Sequence, residues 1–89
     1  EYTITSNRES GYGRYDVMIE PHDKKQPAYI LEFKVHNPRK ENSLEATVES
    51  ALQQIEEKQY EADLIARGFV NDKIHKYGFA FEGKKVLIG

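Results

Sequence analysis

Asp16, Glu32 and Lys34 are the residues of this chain whose types and spacing could do chemistry together. Glu32 and Lys34 stand two apart inside an apolar run, so on a strand they point the same way, while Phe33 faces the opposite layer. Asp16 lies in phase on the preceding strand-like segment. If the two segments pair, Asp16 can share one face with Glu32 and Lys34 and sit across from them, and directly opposed residues have Cβ atoms ~4.5–5.5 Å apart. Two carboxylates that close repel, and their burial is costly unless a cation lies between them. All-oxygen ligation favours Mg²⁺ or Mn²⁺. Lys34 adds positive charge beside the same pocket, where it could hold an attacking water or stabilise charge developing on a phosphate. The plainer alternative makes Glu32 and Lys34 a cross-strand ion pair at a strand end and lets Asp16 start a turn. Against it stands the context: these charges interrupt the most apolar strand of the chain.

The elements that must position these residues follow from periodicity. Residues 2–6 alternate Tyr2 and Ile4 against Thr3 and Thr5, a β-branched strand pattern, and residues 7–13 supply the Asn, Ser and glycines of a turn. Residues 14–20 carry Tyr15, Val17 and Ile19 on one face and Asp16, Met18 and Glu20 on the other, ending at Pro21. Residues 21–27, with a proline at each end, form a connecting turn. Residues 28–35 are apolar except for Glu32 and Lys34, the pattern of a central strand buried on both faces.

One long helix is predicted over 43–67, with Leu44, Val48, Leu52, Ile55, Ala62 and Ala66 at helical spacing and Ala51 and Ile65 widening the stripe. Asn42 with Glu45 reads as a capping box and Gly68 as the glycine that ends the helix. Glu41, Glu45, Glu49, Glu56, Glu57 and Glu61, with Lys58 as the main cation, read as an acidic solvated face. Residues 74–81 and 85–88 read as two strands joined by a turn at Glu82 and Gly83. The predicted order is β-β-β-α-β-β, an α/β (or α+β) fold.

Length and composition bound the function classes. Eighty-nine residues allow one core and therefore one domain over 1–89. With 38% hydrophobic and 31% charged residues the chain reads as a globular protein, and no apolar run approaches the ~18 residues of a membrane-spanning helix. A formal net charge of −2 excludes nucleic-acid binding through the overall field, so any phosphate-facing patch must be local. The absence of cysteine excludes disulfides and thiolate metal sites. A start at Glu1 without methionine suggests a piece of a longer protein.

At this point the residues reach a resemblance. Asp16, then Ile30-Leu31-Glu32-Phe33-Lys34 closing an apolar strand, then a helix carrying Gln54, resembles the PD-(D/E)xK nuclease superfamily. The wider wording is more specific: Gly11-Tyr12-Gly13-Arg14-Tyr15-Asp16, Leu31-Glu32-Phe33-Lys34-Val35, Ala51-Leu52-Gln53-Gln54-Ile55 with Lys58 and Tyr60, Tyr77-Gly78-Phe79-Ala80-Phe81, and Gly83-Lys84. Together they are similar to a bacterial branch in which the nuclease-like domain usually lies C-terminal to an AAA-ATPase-like domain. The similarity covers nearly the whole chain.

That resemblance implies a restriction-endonuclease-like fold, a mixed central sheet with a long helix packed on it, metal-dependent hydrolysis of nucleic acid with DNA as the first expectation, and a cytoplasmic location. It implies Asp16 and Glu32 as Mg²⁺ (or Mn²⁺) ligands joined by the carbonyl of Phe33, Lys34 as the catalytic lysine, and Gln54 near the metal and the scissile phosphate. Two departures stand out: the first core helix of the family is missing from this piece, and Tyr15 replaces the motif proline.

Weaker expectations attach to neighbours. Gly11 and Gly13 read as a turn, because no helix follows them as a nucleotide loop requires. Arg14 either grips a backbone phosphate or pairs with a carboxylate. Lys58 shares a helix face with Gln54 and either reaches the substrate or belongs to the solvated face. Tyr12 and Tyr60 are candidates for stacking on or hydrogen-bonding to nucleic acid, against a default of core or rim. His22, His36 and His75 show no metal-ligand spacing. The rival readings are a catalytically inactive module of the same fold, serving nucleic-acid or partner binding beside an ATPase, and a domain inert without its missing helix or ATPase partner.

Overall fold

The apolar alternation of residues 15–19 and 28–33 places two strands at the middle of a five-stranded sheet. The computed structural model describes residues 1–8 and 14–89. Strands β1 (Tyr2–Arg8), β2 (Arg14–Pro21) and β3 (Ala28–Val35) form an antiparallel meander. Helices α1 (Leu44–Lys58) and α2 (Tyr60–Ala66) cross over to β4 (Ile74–Glu82), which runs parallel to β3, and β5 (Lys85–Ile88) returns antiparallel to β4. The sheet order is β1-β2-β3-β4-β5, the mixed α/β architecture that the resemblance implies, with the element order that the periodicities predict.

The core lies between the sheet and the helices: Ala28, Ile30, Ile55, Leu64, Phe69 and Ile74 are buried, with Met18, Leu52 and Tyr60 packed against them. Both helices cover the same sheet face, which corrects the expectation that β3 is buried on both sides. Its even residues Ala28, Ile30 and Glu32 are buried, whereas Tyr29, Leu31 and Phe33 are half-covered and Val35 is exposed. On that second face Phe33 stacks between Tyr15 and Phe79, with centroids 4.7 Å apart on each side. This ladder helps to fix register, since a slip of one residue would exchange the two faces of the strand. In the register it holds, Asp16 stands opposite Glu32 on one side and Gly78 flanks Glu32 on the other.

Gly78 sets how closely α1 approaches. A Cβ there would lie 2.9 Å from the Val48 carbonyl oxygen and 3.1 Å from the Ala51 Cβ, so the missing side chain is what lets the helix backbone settle over Glu32.

The single long helix predicted over 43–67 is two helices. Gln59 adopts φ 59°, ψ 32°, a left-handed conformation that stops α1 and starts α2. The break also shifts the apolar phase. Val48, Ala51 and Ile55 are buried as expected, but beyond Gln59 the buried residue is Leu64, and Ala62, Ile65 and Ala66 are exposed. The N-cap is Ser43, whose hydroxyl accepts from the Ala46 amide at 3.1 Å, and not Asn42, so Glu45 closes no capping box. Gly68, at φ 107°, ends α2 as predicted: its amide donates to the Ile65 carbonyl and that of Phe69 to the Leu64 carbonyl, the paired bonds of a Schellman ending. At the sheet edge, Asn7 and Arg8 belong to β1 and not to the turn, and Glu82 belongs to β4, leaving residues 83 and 84 as the turn.

A left-handed conformation costs a non-glycine residue roughly 1–2 kcal/mol, partly offset for glycine by its greater freedom in the unfolded chain. Gln59→Gly is therefore expected to raise stability by about 1 kcal/mol and Gln59→Val to lower it, read as opposite shifts of the urea midpoint at unchanged slope. A lower midpoint for Gln59→Gly would show that tertiary contacts of the glutamine, and not its backbone, hold the break.

Candidate active site

Two neighbouring strands deliver the acids. Asp16 on β2 and Glu32 on β3 are register partners, point to the helix-covered face, and are 2% and 0% exposed. Asn7, the β1 partner of Asp16, donates from Nδ2 to Asp16 Oδ1 at 3.2 Å. It was hidden in the sequence by its turn-like type, although it continues the phase of Thr3 and Thr5.

The break at Gln59 delivers the cation. On a continuous helix residues 58 and 60 would lie some 200° apart around the axis and could not face one target. With Gln59 left-handed, Lys58 Nζ donates to Asp16 Oδ2 at 2.8 Å and to Glu32 Oε1 at 3.4 Å, and the Tyr60 hydroxyl donates to Asp16 Oδ2 at 3.2 Å. Lys58 is thus no member of a solvated face, and Tyr60 lies at the carboxylates.

Lys34 shares the face of Glu32 but is held by Glu41, with which it forms a close ion pair. Glu41, placed by its type on the acidic outer face, is instead a buried residue of the loop before α1. Its Oε1 accepts from the Asn37 amide at 2.8 Å and from the Thr47 hydroxyl at 2.9 Å, while His36 Nδ1 lies 2.7 Å from the same hydroxyl. No periodicity signals such a loop carboxylate; only the folded β3–α1 connection brings positions 34, 37, 41 and 47 together.

Arg14, the register partner of Lys34, lines with Lys34, Lys40, Glu41, Glu49 and Gln53 an open cleft of about 700 Å³ on the Lys34 side of the site, which Asp16 and Glu32 do not line. Lys40 and Gln53 were not foreseen there. Gln54 is half-buried on α1, one turn before Lys58, and makes no side-chain hydrogen bond among the described residues. The ring of Phe33 sits in the aromatic ladder on the far face, so any part it takes beside the acids falls to its main-chain carbonyl. Gly11, Tyr12 and Gly13 lie outside the described residues.

Electrostatics single out Glu32. Burial, and after it the charge of Asp16, push its carboxyl up to about 7, against the pull of Arg14. Burial likewise draws the Lys58 ammonium down and lifts the Tyr60 hydroxyl, which Asp16 raises further. Burial disfavours charge on Glu41 too, but Lys34, the Asn37 amide and Thr47 outweigh it and hold that carboxyl below its ordinary value. A carboxyl whose proton is held more tightly in the folded than in the unfolded chain favours folding at low pH. That contribution is complete below about 4.5 and lost as pH rises through about 7. The metal-free protein is therefore expected to lose about 3 kcal/mol between pH 4.5 and 8 through this group. Glu32→Gln should flatten the profile of melting temperature against pH, and an unchanged slope would remove Glu32 as its source.

The donor set suits a hard divalent cation. Mg²⁺ is commonly held by one or two carboxylates and keeps several waters, and Glu32 Oε2 is buried with no hydrogen-bond partner among the described residues, a lone pair left for a cation. Among the described residues no group of three His, Asp or Glu side chains converges.

A family model for the PD-(D/E)XK nuclease superfamily matches residues 1–89. No curated protein and no solved structure matches the chain.

Proposed function

Because the chain belongs to the PD-(D/E)XK nuclease superfamily, we propose that residues 1–89 form a metal-dependent nuclease domain that hydrolyses phosphodiester bonds of nucleic acid, DNA in the first instance. The observation that carries the reading is the buried Asp16–Glu32 pair with its unsatisfied Oε2, an arrangement costly to fold and useful to a cation. Asp16 and Glu32 would hold Mg²⁺ or Mn²⁺, with the Phe33 carbonyl completing the set. A divalent ion there polarises the phosphodiester and lowers the pKa of a bound water.

The chain's own residues do the rest. Asn7 and Tyr60 fix Asp16 by hydrogen bonds to its two oxygens. Lys34 brings its charge to the attacking water or the developing phosphorane, oriented by Glu41. Arg14 and Lys40, on the wall of the cleft, give a local patch for backbone phosphates within a chain of net charge −2, and Gln54 supports the metal side from α1. An AAA-ATPase-like domain in the same longer chain and a cytoplasmic setting are part of this proposal through the bacterial branch that the sequence resembles. No helix among the described residues is long and apolar enough to cross a membrane.

One observation favours the inactive module: the Lys58 ammonium already neutralises part of the acidic pair. A cleavage assay with Mg²⁺ or Mn²⁺ on single- and double-stranded DNA and RNA separates the readings. The nuclease reading expects turnover with these ions and, in Ca²⁺, binding without turnover whose log-log salt slope is near −0.9 for each phosphate neutralised on duplex DNA. Salt-sensitive binding with no cleavage under any metal supports the module; a slope near zero removes the phosphate-binding cleft.

A further inference from the structure

We propose that Lys58 is a built-in counter-cation of the Asp16–Glu32 pair, which a divalent ion must displace in order to bind. The inference rests on reading that pair as a metal site and specifies how the site is guarded. Lys58 is the last residue of α1, and its Nζ lies within 2.8 Å of Asp16 Oδ2 and 3.4 Å of Glu32 Oε1, in reach of one oxygen from each acid. A single positive charge shared by two buried negative ones lowers the cost of burying them without cancelling it. Glu32 Oε2 remains unpartnered among the described residues, so the ammonium does not saturate the site. A divalent ion brings twice the charge and more coordination positions to the same oxygens.

The exchange needs little of the fold. Asp16 keeps its hydrogen bonds from Asn7 on Oδ1 and Tyr60 on Oδ2 whichever cation is present. The lysine side chain is 19% exposed on a flexible four-carbon stem, and it can swing toward solvent while α1 stays packed at Gly78. Metal binding is then an exchange of cations, and its apparent affinity is weaker than the two carboxylates alone would give.

The test is Mn²⁺ binding by titration calorimetry to the wild-type chain, Lys58→Met and Lys58→Arg, with melting temperatures at zero and saturating Mn²⁺. Lys58→Met keeps the length and removes the charge. It is expected to tighten Mn²⁺ binding by about tenfold or more, equivalent to about 1.4 kcal/mol. Its rise in melting temperature on Mn²⁺ addition should exceed that of the wild type, because in the variant the ion supplies the positive charge that Lys58 no longer brings to the pair. Lys58→Arg should stay within about threefold of the wild type. Lys58→Met that folds only when Mn²⁺ is present also supports the exchange, since the ion then replaces the ammonium. Equal or weaker binding by Lys58→Met, equal tightening by Lys58→Arg, or a Lys58→Met chain that no Mn²⁺ concentration folds while Lys58→Arg folds normally would each overturn it. Absence of Mn²⁺ binding in all three proteins overturns the metal-site reading itself, and the counter-cation proposal with it.

Discussion

Asp16→Asn is expected to abolish both metal-induced stabilisation and cleavage while leaving the metal-free fold at least as stable as the wild type. An ion bound only by the native state adds RT ln(1 + [L]/Kd), about 2.7 kcal/mol at a hundredfold excess over Kd, and the variant should show none of it. The metal-free protein gains from the same change, because one of two buried like charges disappears while Lys58 keeps Glu32 as a partner, the asparagine oxygen still accepts from Tyr60, and a flip of the Asn7 amide lets its oxygen accept from the new NH2 group. A side chain whose removal helps the fold and ends the activity is there for function. Thermal melts with and without Mn²⁺, together with a cleavage time course, check both halves. Equal Mn²⁺ shifts in the two proteins would locate the binding elsewhere, with the glutamate-rich outer surface of α1 as the first place to look.

Lys34→Ala is expected to cut cleavage by ~10²–10³-fold, the usual loss when one preorganised charge that acts in the transition state is removed. Nucleic-acid affinity in Ca²⁺ should fall much less. The folded structure adds a complication invisible in the sequence: the same change strands the buried Glu41 carboxylate, which then keeps the Asn37 amide and the Thr47 hydroxyl, with His36 Nδ1 3.6 Å away. Breaking one side of a buried ion pair costs ~3–5 kcal/mol, so the single variant should also melt early. Adding Glu41→Gln removes the stranded charge and should restore most of the stability without restoring cleavage. Recovery of cleavage in the double variant would reduce Lys34 to a structural partner of Glu41, and wild-type turnover by Lys34→Ala would do so directly.

These two results depend on information of different origin. The alternation of residues 14–20 and the charges interrupting residues 28–35 determined by themselves that Asp16, Glu32 and Lys34 would share a face, because side-chain direction on a strand follows from a period of two once neighbouring strands pair. The order of strands and helix and the superfamily were legible from local periodicity and from motifs that are contiguous in the chain, whereas the parallel pairing of β4 with β3 appeared only in the folded sheet. What only the tertiary structure decided is which charges meet. Gln59 carries no glycine signal for a left-handed turn, yet its conformation rotates Lys58 and Tyr60 toward Asp16, 42 and 44 residues earlier, and exposes the alanines that a continuous helix would have buried. Glu41 belongs by type to a solvated acidic surface, yet the loop before α1 folds it inward to claim Lys34. Pattern reading assigns a charged side chain to solvent because burying an unpaired charge is costly; the partners that offset this cost come from distant segments, and only the packed chain brings them within reach.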